Sequence, residues 1–356
     1  MAGLGLLFLV GSLLSKRTLK AVDREMLSGT FEISSQEQSL RRLYRSVIAV
    51  TSVYFYMSIP VLILLVVLLV GGLLYLFLVI GQIPVNLALF ILLAGLYTLF
   101  AILRSLFARF KETDPGRPVS PEEMPELWQL VREVAQRLNT RPVDAIFLTP
   151  GVEAAVMERG RLVNRLNDKG QRVLILGLGT LSGLTQGQLK AILAHEYGHF
   201  NNRDTAGGRL AHQVQYSLYQ LAYGLASRGL AHWYNPAWLF INGYHRVFLR
   251  VTLGASRLQE ILADRFAVLA YGIRNMTTGL QHIIRQGLEF NAQVNAEVEQ
   301  AAAQKRGLHN LYALPAVQEF GKLEQTLSET LSRPSSPYDS HPAPRERLAL
   351  MQRIRV

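Results

Sequence analysis

The strongest pattern along the chain is a long loss of polarity: from Val47 to Leu103 no residue carries a charge. Wound as one helix, this stretch would be about 85 Å long, well over twice the hydrocarbon thickness of a bilayer. Gly81-Gln82-Ile83-Pro84 supplies a turn. The pattern therefore predicts two helices, near 53–80 and 85–107, crossing a membrane as a hairpin. A buried hairpin in a soluble core is the competing reading. Basic residues crowd both outer flanks: Lys16, Arg17, Lys20, Arg24, Arg41, Arg42 and Arg45 before it, Arg104, Arg109, Lys111 and Arg117 after it. The short turn has none, so both ends are expected on the cytoplasmic side of the cell (inner or plasma) membrane.

The same reading divides the rest of the chain. Met1 to Leu14 is apolar but short for a span and lacks a charged start. It is read as an interfacial or packed helix, against a signal anchor. Residues 1–46 then form a basic N-terminal segment, 47–110 the hairpin, and 111–356 a further domain opened by the linker Asp114-Pro115-Gly116-Arg117-Pro118. Ser120 and Glu123 make a capping box, and Leu127, Leu130, Val131, Val134 and Leu138 repeat with helical period. Three short strands are expected at Val143–Leu148, Val152–Met157 and Arg172–Leu176, with a polar loop around Asn164–Gly170. Thr185 and Gln188 cap a second helix, whose residues Leu189, Ile192 and Leu193 form one apolar face. Residues 206–254 are aromatic but interrupted by Gln213, Gln215, Gln220, Arg228, His245, Arg246 and Arg250. They fit a third and fourth span less well than helices packed on the domain or lying in the headgroup layer. Met276 to Glu289 reads as an amphipathic helix, Asn291 to Arg306 as a solvated one, and Ser332–Pro344 as a loop.

Composition narrows the partners. The 356 residues carry a net charge of +11, yet the basic residues flank the apolar stretch instead of mixing with aromatics in a reader motif. A lipid bilayer is the expected partner, and nucleic acid is not. With no cysteine in the chain, neither a disulfide nor a thiolate metal site can form.

The candidate chemistry lies in Ala191 to Asp204, where His195, Glu196 and His199 form H-E-x-x-H. Four residues apart on a helix, the two imidazoles lie on one face and can grip one metal ion. The donor set suits one zinc per chain, with Glu196 as general base toward a zinc-held water. A third ligand is required. Glu260 and Asp264 are again four apart on a predicted helix, so Glu260 can bind the metal while Asp264 accepts a hydrogen bond from a ligand histidine. Asn202 and Thr205 stand where a metzincin has glycine and its third histidine, which excludes that class. Lys190, Asn201, Asn202, Arg203 and Asp204 do not belong in hydrocarbon, which argues against an intramembrane site.

An apolar hairpin, then L-T-x-x-Q-L, H-E-Y-G-H, E-I-L-A-D and a closing S-H-P…R around Ser340 to Arg347, resembles the HtpX-like and CAAX-prenyl-endopeptidase-like membrane zinc metallopeptidases. The resemblance covers roughly residues 47 to 350. It implies a mainly α membrane protein: a transmembrane hairpin joined to an α+β, zincin-like (gluzincin) catalytic domain with a small β-sheet. It also implies that His195, His199 and Glu260 bind zinc, that Glu196 is general base and acid, and that His341 and Arg347 lie near the substrate cleft. Where the family often has an Asn-Ala-Phe-like substrate strand, this chain has Glu153-Ala154-Ala155-Val156. Ala154 and Ala155 are then the positions that would pair with an extended peptide, with altered subsites. The expected function is endopeptidase action on unfolded or membrane proteins at the cytoplasmic face. A non-catalytic scaffold with a structural zinc, or a processing peptidase for lipidated peptides, are the alternatives.

Overall fold

The structure is a computed structural model and describes every residue except 1, 2, 4, 11, 14–34, 82, 83, 108–113, 160–169, 202–207, 314–319, 335–340, 355 and 356. Several expectations fall outside the described residues: the turn residues Gln82 and Ile83, the flanking Lys16, Arg17, Lys20, Arg24, Arg109 and Lys111, most of the polar loop after Asn164, and Asn202, Thr205 and Ser340. The chain is mainly helical, with one small mixed sheet, and its described residues group into two compact units.

The first unit draws on Met1–Leu19, Ser35–Lys111 and Thr205–Ala255. Its frame is a pair of apolar helices, α1 (Ser35–Ile80) and α2 (Val85–Phe107), both long and apolar enough to cross a membrane. Helix α1 begins well before residue 53, because the polar residues from Ser35 onward continue the same helix. The two helices approach closely at Gly95, where an added Cβ would stand 2.5 Å from Val70 Cγ2. Gly81 opens the turn between them in the left-handed region, at φ 73°. Helix α6 (Gly208–Ala226) packs on both, and the first part of α7 (Pro236–Tyr271) runs along α1. There Tyr244 stacks on Phe248 and Phe240 and donates its hydroxyl to the Thr51 carbonyl at 2.7 Å. Ile48, Phe55 and Ile59 of α1 are buried by this packing, whereas Leu68, Leu76, Val79 and Ile80 stay exposed.

The described residues of the second unit fall within Glu112–Asp204 and Ser256–Val356. Four strands, β1 (Arg117–Val119), β2 (Ala145–Thr149), β3 (Ala154–Arg159) and β4 (Gln171–Gly177), lie in the order β1-β2-β4-β3. The β2–β4 pair is parallel and both outer pairs are antiparallel. Strand β1 occupies the stretch expected as a linker. A proline-bearing segment suits an edge position, and buried Val119 anchors it. Strand β4 is the centre: Val173 and Ile175 pack with Phe147 on one face while Leu174 and Leu176 are buried on the other. Beyond β1, Ser120 and Glu123 do exchange backbone-to-side-chain hydrogen bonds, at 3.2 and 3.3 Å. They close a turn ahead of α3 (Pro125–Arg137), which starts with proline in its first turn. After the short α4 (Leu178–Leu181) comes α5 (Gln186–Asn201), then α8 (Ile273–Gln304), α9 (Phe320–Ser332) and α10 (Pro344–Met351). Helix α8 is one continuous helix where two were expected.

Candidate active site

Helix α5 is the pivot of the second unit. Its entry is fixed by reciprocal bonds: Thr185 N–H donates to Gln188 Oε1 at 2.9 Å and Gln188 N–H to Thr185 Oγ1 at 3.3 Å. It packs against α3, α8 and β3. From Ala191 to Gly198 every residue is buried, where the sequence pattern indicated burial on one side alone. The polar face is buried as well: His195 and Glu196 are as enclosed as the apolar side. Tyr197 points into the core and its hydroxyl accepts the Val143 N–H at 3.1 Å. This tie to the chain entering β2 went unnoticed in the sequence. Its signal was a large aromatic with one polar atom inside a buried motif.

The opposite side of α5 faces the last part of α7. Gly198 makes the approach close: a Cβ there would stand 2.9 Å from Ala263 Cα. This brings Glu260 and Asp264 to the histidines. Glu260 Oε2 lies 3.5 Å from His195 Nε2, and its Oε1 lies 3.6 Å from His199 Nε2. One donor atom from each of His195, His199 and Glu260 can be chosen so that all lie within 4.8 Å of one another, and the two rings stand edge to face, 5.0 Å apart. On the far side of the His195 ring, Nδ1 lies 2.9 Å from Asp264 Oδ1. The approach is short but not straight along the N–H, since the same nitrogen lacks an aligned hydrogen-bond partner. It leaves Nε2 turned toward Glu260, the orientation a metal-ligating imidazole requires.

Two residues return to this cluster from the end of the chain. Arg347, on α10, is buried and grips Asp264 with two hydrogen bonds, Nε to Oδ2 at 2.8 Å and Nη2 to Oδ1 at 2.6 Å. Its Nη1 lies 3.4 Å from Glu260 Oε2. Such a forked pairing fits a planar guanidinium. His341 Nδ1 lies 2.9 Å from Glu260 Oε1, yet 61% of its side chain is exposed, so it stands at the rim. Ala154 and Ala155 are not in this cluster. They lie on β3, paired with Leu176 and Ile175 of β4, on a strand that packs against α5 and, among the described residues, pairs along one edge alone.

The electrostatics follow from burial and pairing. Burial pushes the Glu196 carboxyl up to about 7, with His195 pulling against it and Glu260 adding to it. Burial works against charge on His195, but its contacts with Asp264 and then Glu260 prevail and hold it up at about 10. Burial, and then the charge of His195, bring His199 down to about 4. Glu260 is held well below the usual carboxylate range against its burial, chiefly by His195 and His341. Asp264 is also lowered against burial, by Arg347 first. The hydrogen bond to Glu260 raises His341. Two imidazole nitrogens and one carboxylate oxygen, free of sulfur and converging on one point, are a donor set suited to a divalent metal ion. Beside it stands a buried carboxyl whose pKa has been brought to neutrality.

The chain was also compared with known proteins. A family model described as peptidase family M48 matches residues 129–355. A protease HtpX homolog from Acaryochloris marina is 30% identical over 190 residues, covering 50% of this chain and 60% of that protein. One from Aquifex aeolicus is 33% identical over 115 residues, covering 29% of this chain and 36% of the other. The chain thus spans less than two thirds of the length of these relatives. Among solved structures, the crystal structure of S. mikatae Ste24p aligns with a TM-score of 0.33 and 16% identity, over 84% of this chain and 67% of that one.

Proposed function

Because the chain belongs to peptidase family M48, we propose that it is a membrane-anchored, zinc-dependent endopeptidase acting on unfolded or membrane proteins at the cytoplasmic face. The observation that carries this reading is the convergence of His195, His199 and Glu260 within 4.8 Å, next to the buried Glu196. These three would hold the zinc, which when bound supplies a Lewis acid that polarises a carbonyl and lowers the pKa of water.

The protein's own groups do the rest. Glu196, at about 7, takes a proton from the attacking water and returns it to the leaving amine nitrogen. Asp264 orients the His195 ring from behind, and Arg347 positions Asp264 and Glu260 in turn. The free edge of β3, at Ala154 and Ala155, pairs with the main chain of an extended peptide. Exposed His341 lies against that peptide at the rim. Residues 47–110 are the membrane hairpin, following the basic segment 1–46, and residues 111–356 form the peptidase domain, of which 208–255 folds against the hairpin. Arg42 and Arg45 on one helix and Arg104 on the other keep both hairpin ends cytoplasmic.

The test is cleavage of unfolded casein by purified full-length protein, with chelator, and with zinc restored. Loss with chelator and recovery with zinc is expected. Undiminished cleavage after the metal has been stripped, verified by elemental analysis, removes the reading.

A further inference from the structure

We propose that the loop joining α6 to α7, residues 227–235, seats at the boundary between headgroups and acyl chains of a phospholipid bilayer and fixes how deep the first unit sits. The inference rests on the reading that α1 and α2 span that bilayer. Helix α2 provides a ruler. From Val85 to Leu103 it is free of charge, about 28 Å of helix against the ~30 Å of hydrocarbon it must cross. Exposed Arg104 marks the end of that stretch.

Three contacts set the height of the loop on this ruler. The Arg228 guanidinium lies over the Tyr97 ring, 4.9 Å from its centroid. Asn235 Nδ2 donates to Thr98 Oγ1 at 3.2 Å. Just before the loop, a Cβ on Gly224 would stand 3.5 Å from Ala101 Cβ. Tyr97, Thr98 and Ala101 precede Arg104 by three to seven residues, so the loop lies about 5–10 Å inside the plane of Arg104. That is the depth at which amphipathic rings gather.

The side chains presented there match. Trp233 is 79% exposed, Tyr234 47%, and Tyr219 and Tyr223 are each 62% exposed and stacked on one another. Each has an apolar body and a polar tip, the amphipathic type that collects at a membrane interface. Exposed Arg228 and His232 hold the loop from sinking further, since a cation in hydrocarbon is costly. The inward-facing polar group is already satisfied: Asn235 Oδ1 accepts the Ala237 N–H at 3.0 Å. Farther along α7 the exposed residues turn polar at Asn242, His245 and Arg246. The α6–α7 pair therefore covers the part of α1 that outruns α2, and meets lipid at its tip.

The absence of cysteine allows a direct test. Single-cysteine variants Leu93→Cys, Trp233→Cys and Glu299→Cys of the full chain are spin-labelled in phosphatidylcholine/phosphatidylglycerol nanodiscs. Accessibility to oxygen and to a water-soluble nickel chelate is then measured. The label at 93 is expected to be oxygen-accessible and shielded from nickel, and the label at 299 nickel-accessible. The label at 233 is expected several-fold less nickel-accessible than 299, yet shallower than 93. A nickel-accessible 233 with a deep 93 overturns the loop assignment and leaves the spanning reading intact. A 233 as deep as 93 replaces it with additional spans. A nickel-accessible 93 removes the spanning hairpin, and the loop assignment with it.

Discussion

Gly198 and Ala263 touch backbone to backbone: the space a Cβ on Gly198 would need is already taken by Ala263 Cα, 2.9 Å away. Both residues sit one position from a site group, Gly198 before His199 and Ala263 before Asp264. The crossing of α5 and α7 at this point is what sets the distance from the imidazoles to Glu260. Gly198→Ala should cost about 1–3 kcal/mol, as overpacking does, and Gly198→Val more, with loss of bound metal. Thermal unfolding and elemental analysis check this. An unchanged melting temperature with full metal content in Gly198→Val would show that the crossing is not tight.

Glu196 offers a cleaner separation of binding from chemistry. Glu196→Gln keeps the shape and removes the proposed base, so metal content should stay at one per chain while kcat falls by a factor of about 10²–10⁴. Casein cleavage at the parent rate in that variant is incompatible with Glu196 as the proton acceptor.

Glu260→Ala removes one of the three proposed ligands, and zinc should be lost on dialysis against a weak chelator that the parent protein withstands. Retention of stoichiometric zinc under the same dialysis would mean that another group supplies the third ligand.

Arg347 is buried between two carboxylates. Arg347→Met leaves both charges without their partner, and breaking such a buried arrangement costs about 3–5 kcal/mol. Arg347→Lys restores charge but not the fork, and should recover only part of it. In Asp264→Asn/Arg347→Met the two losses should be well short of additive. Strict additivity by denaturant unfolding would show that the pair is not coupled.

The pH dependence of metal uptake follows from His195. In protein stripped of metal its pKa is held up at about 10, so at pH 8 the imidazole must release its proton before Nε2 can bind. Calorimetry in buffers of different ionisation enthalpy should show about one proton released per zinc, and affinity should rise with pH toward pH 10. Raised above the ordinary value of 6.5, the same group favours the fold of the stripped protein below that pH. That contribution disappears as pH climbs from about 6.5 through about 10. Zinc uptake with no buffer dependence contradicts the assignment.

How far the sequence foretold this differs from element to element. Helix α2 agrees with expectation at Val85, because Gly81 and Pro84 mark the turn ahead of it. Helix α1 begins earlier because a helix does not end where hydrophobicity does. Strand β1 was hidden by Pro118, whose place at a sheet edge depends on a partner, Phe147, far along the chain. His195 and His199 were legible from spacing alone, and Glu260 and Asp264 from the same spacing once a third ligand was sought. His341 and Arg347 came only through family likeness. No periodicity tells that a short helix folds back onto residues more than eighty positions earlier. The crossing at Gly198 was equally silent, since it depends on what lies opposite, and the Tyr197 anchor showed only as a polar-tipped aromatic inside a buried motif.

The forked contact of Arg347 completes an electroneutral inventory. Among the groups of the candidate site, Glu196, Glu260 and Asp264 bring three negative charges, and the Arg347 guanidinium answers one. A divalent cation answers the other two, provided both imidazoles are neutral. In stripped protein near neutral pH, the protons held by His195 and shared by Glu196 move toward the same balance. Ions of charge one or three leave an uncompensated charge in a low-dielectric interior, so valence, before size or geometry, filters what this protein can keep.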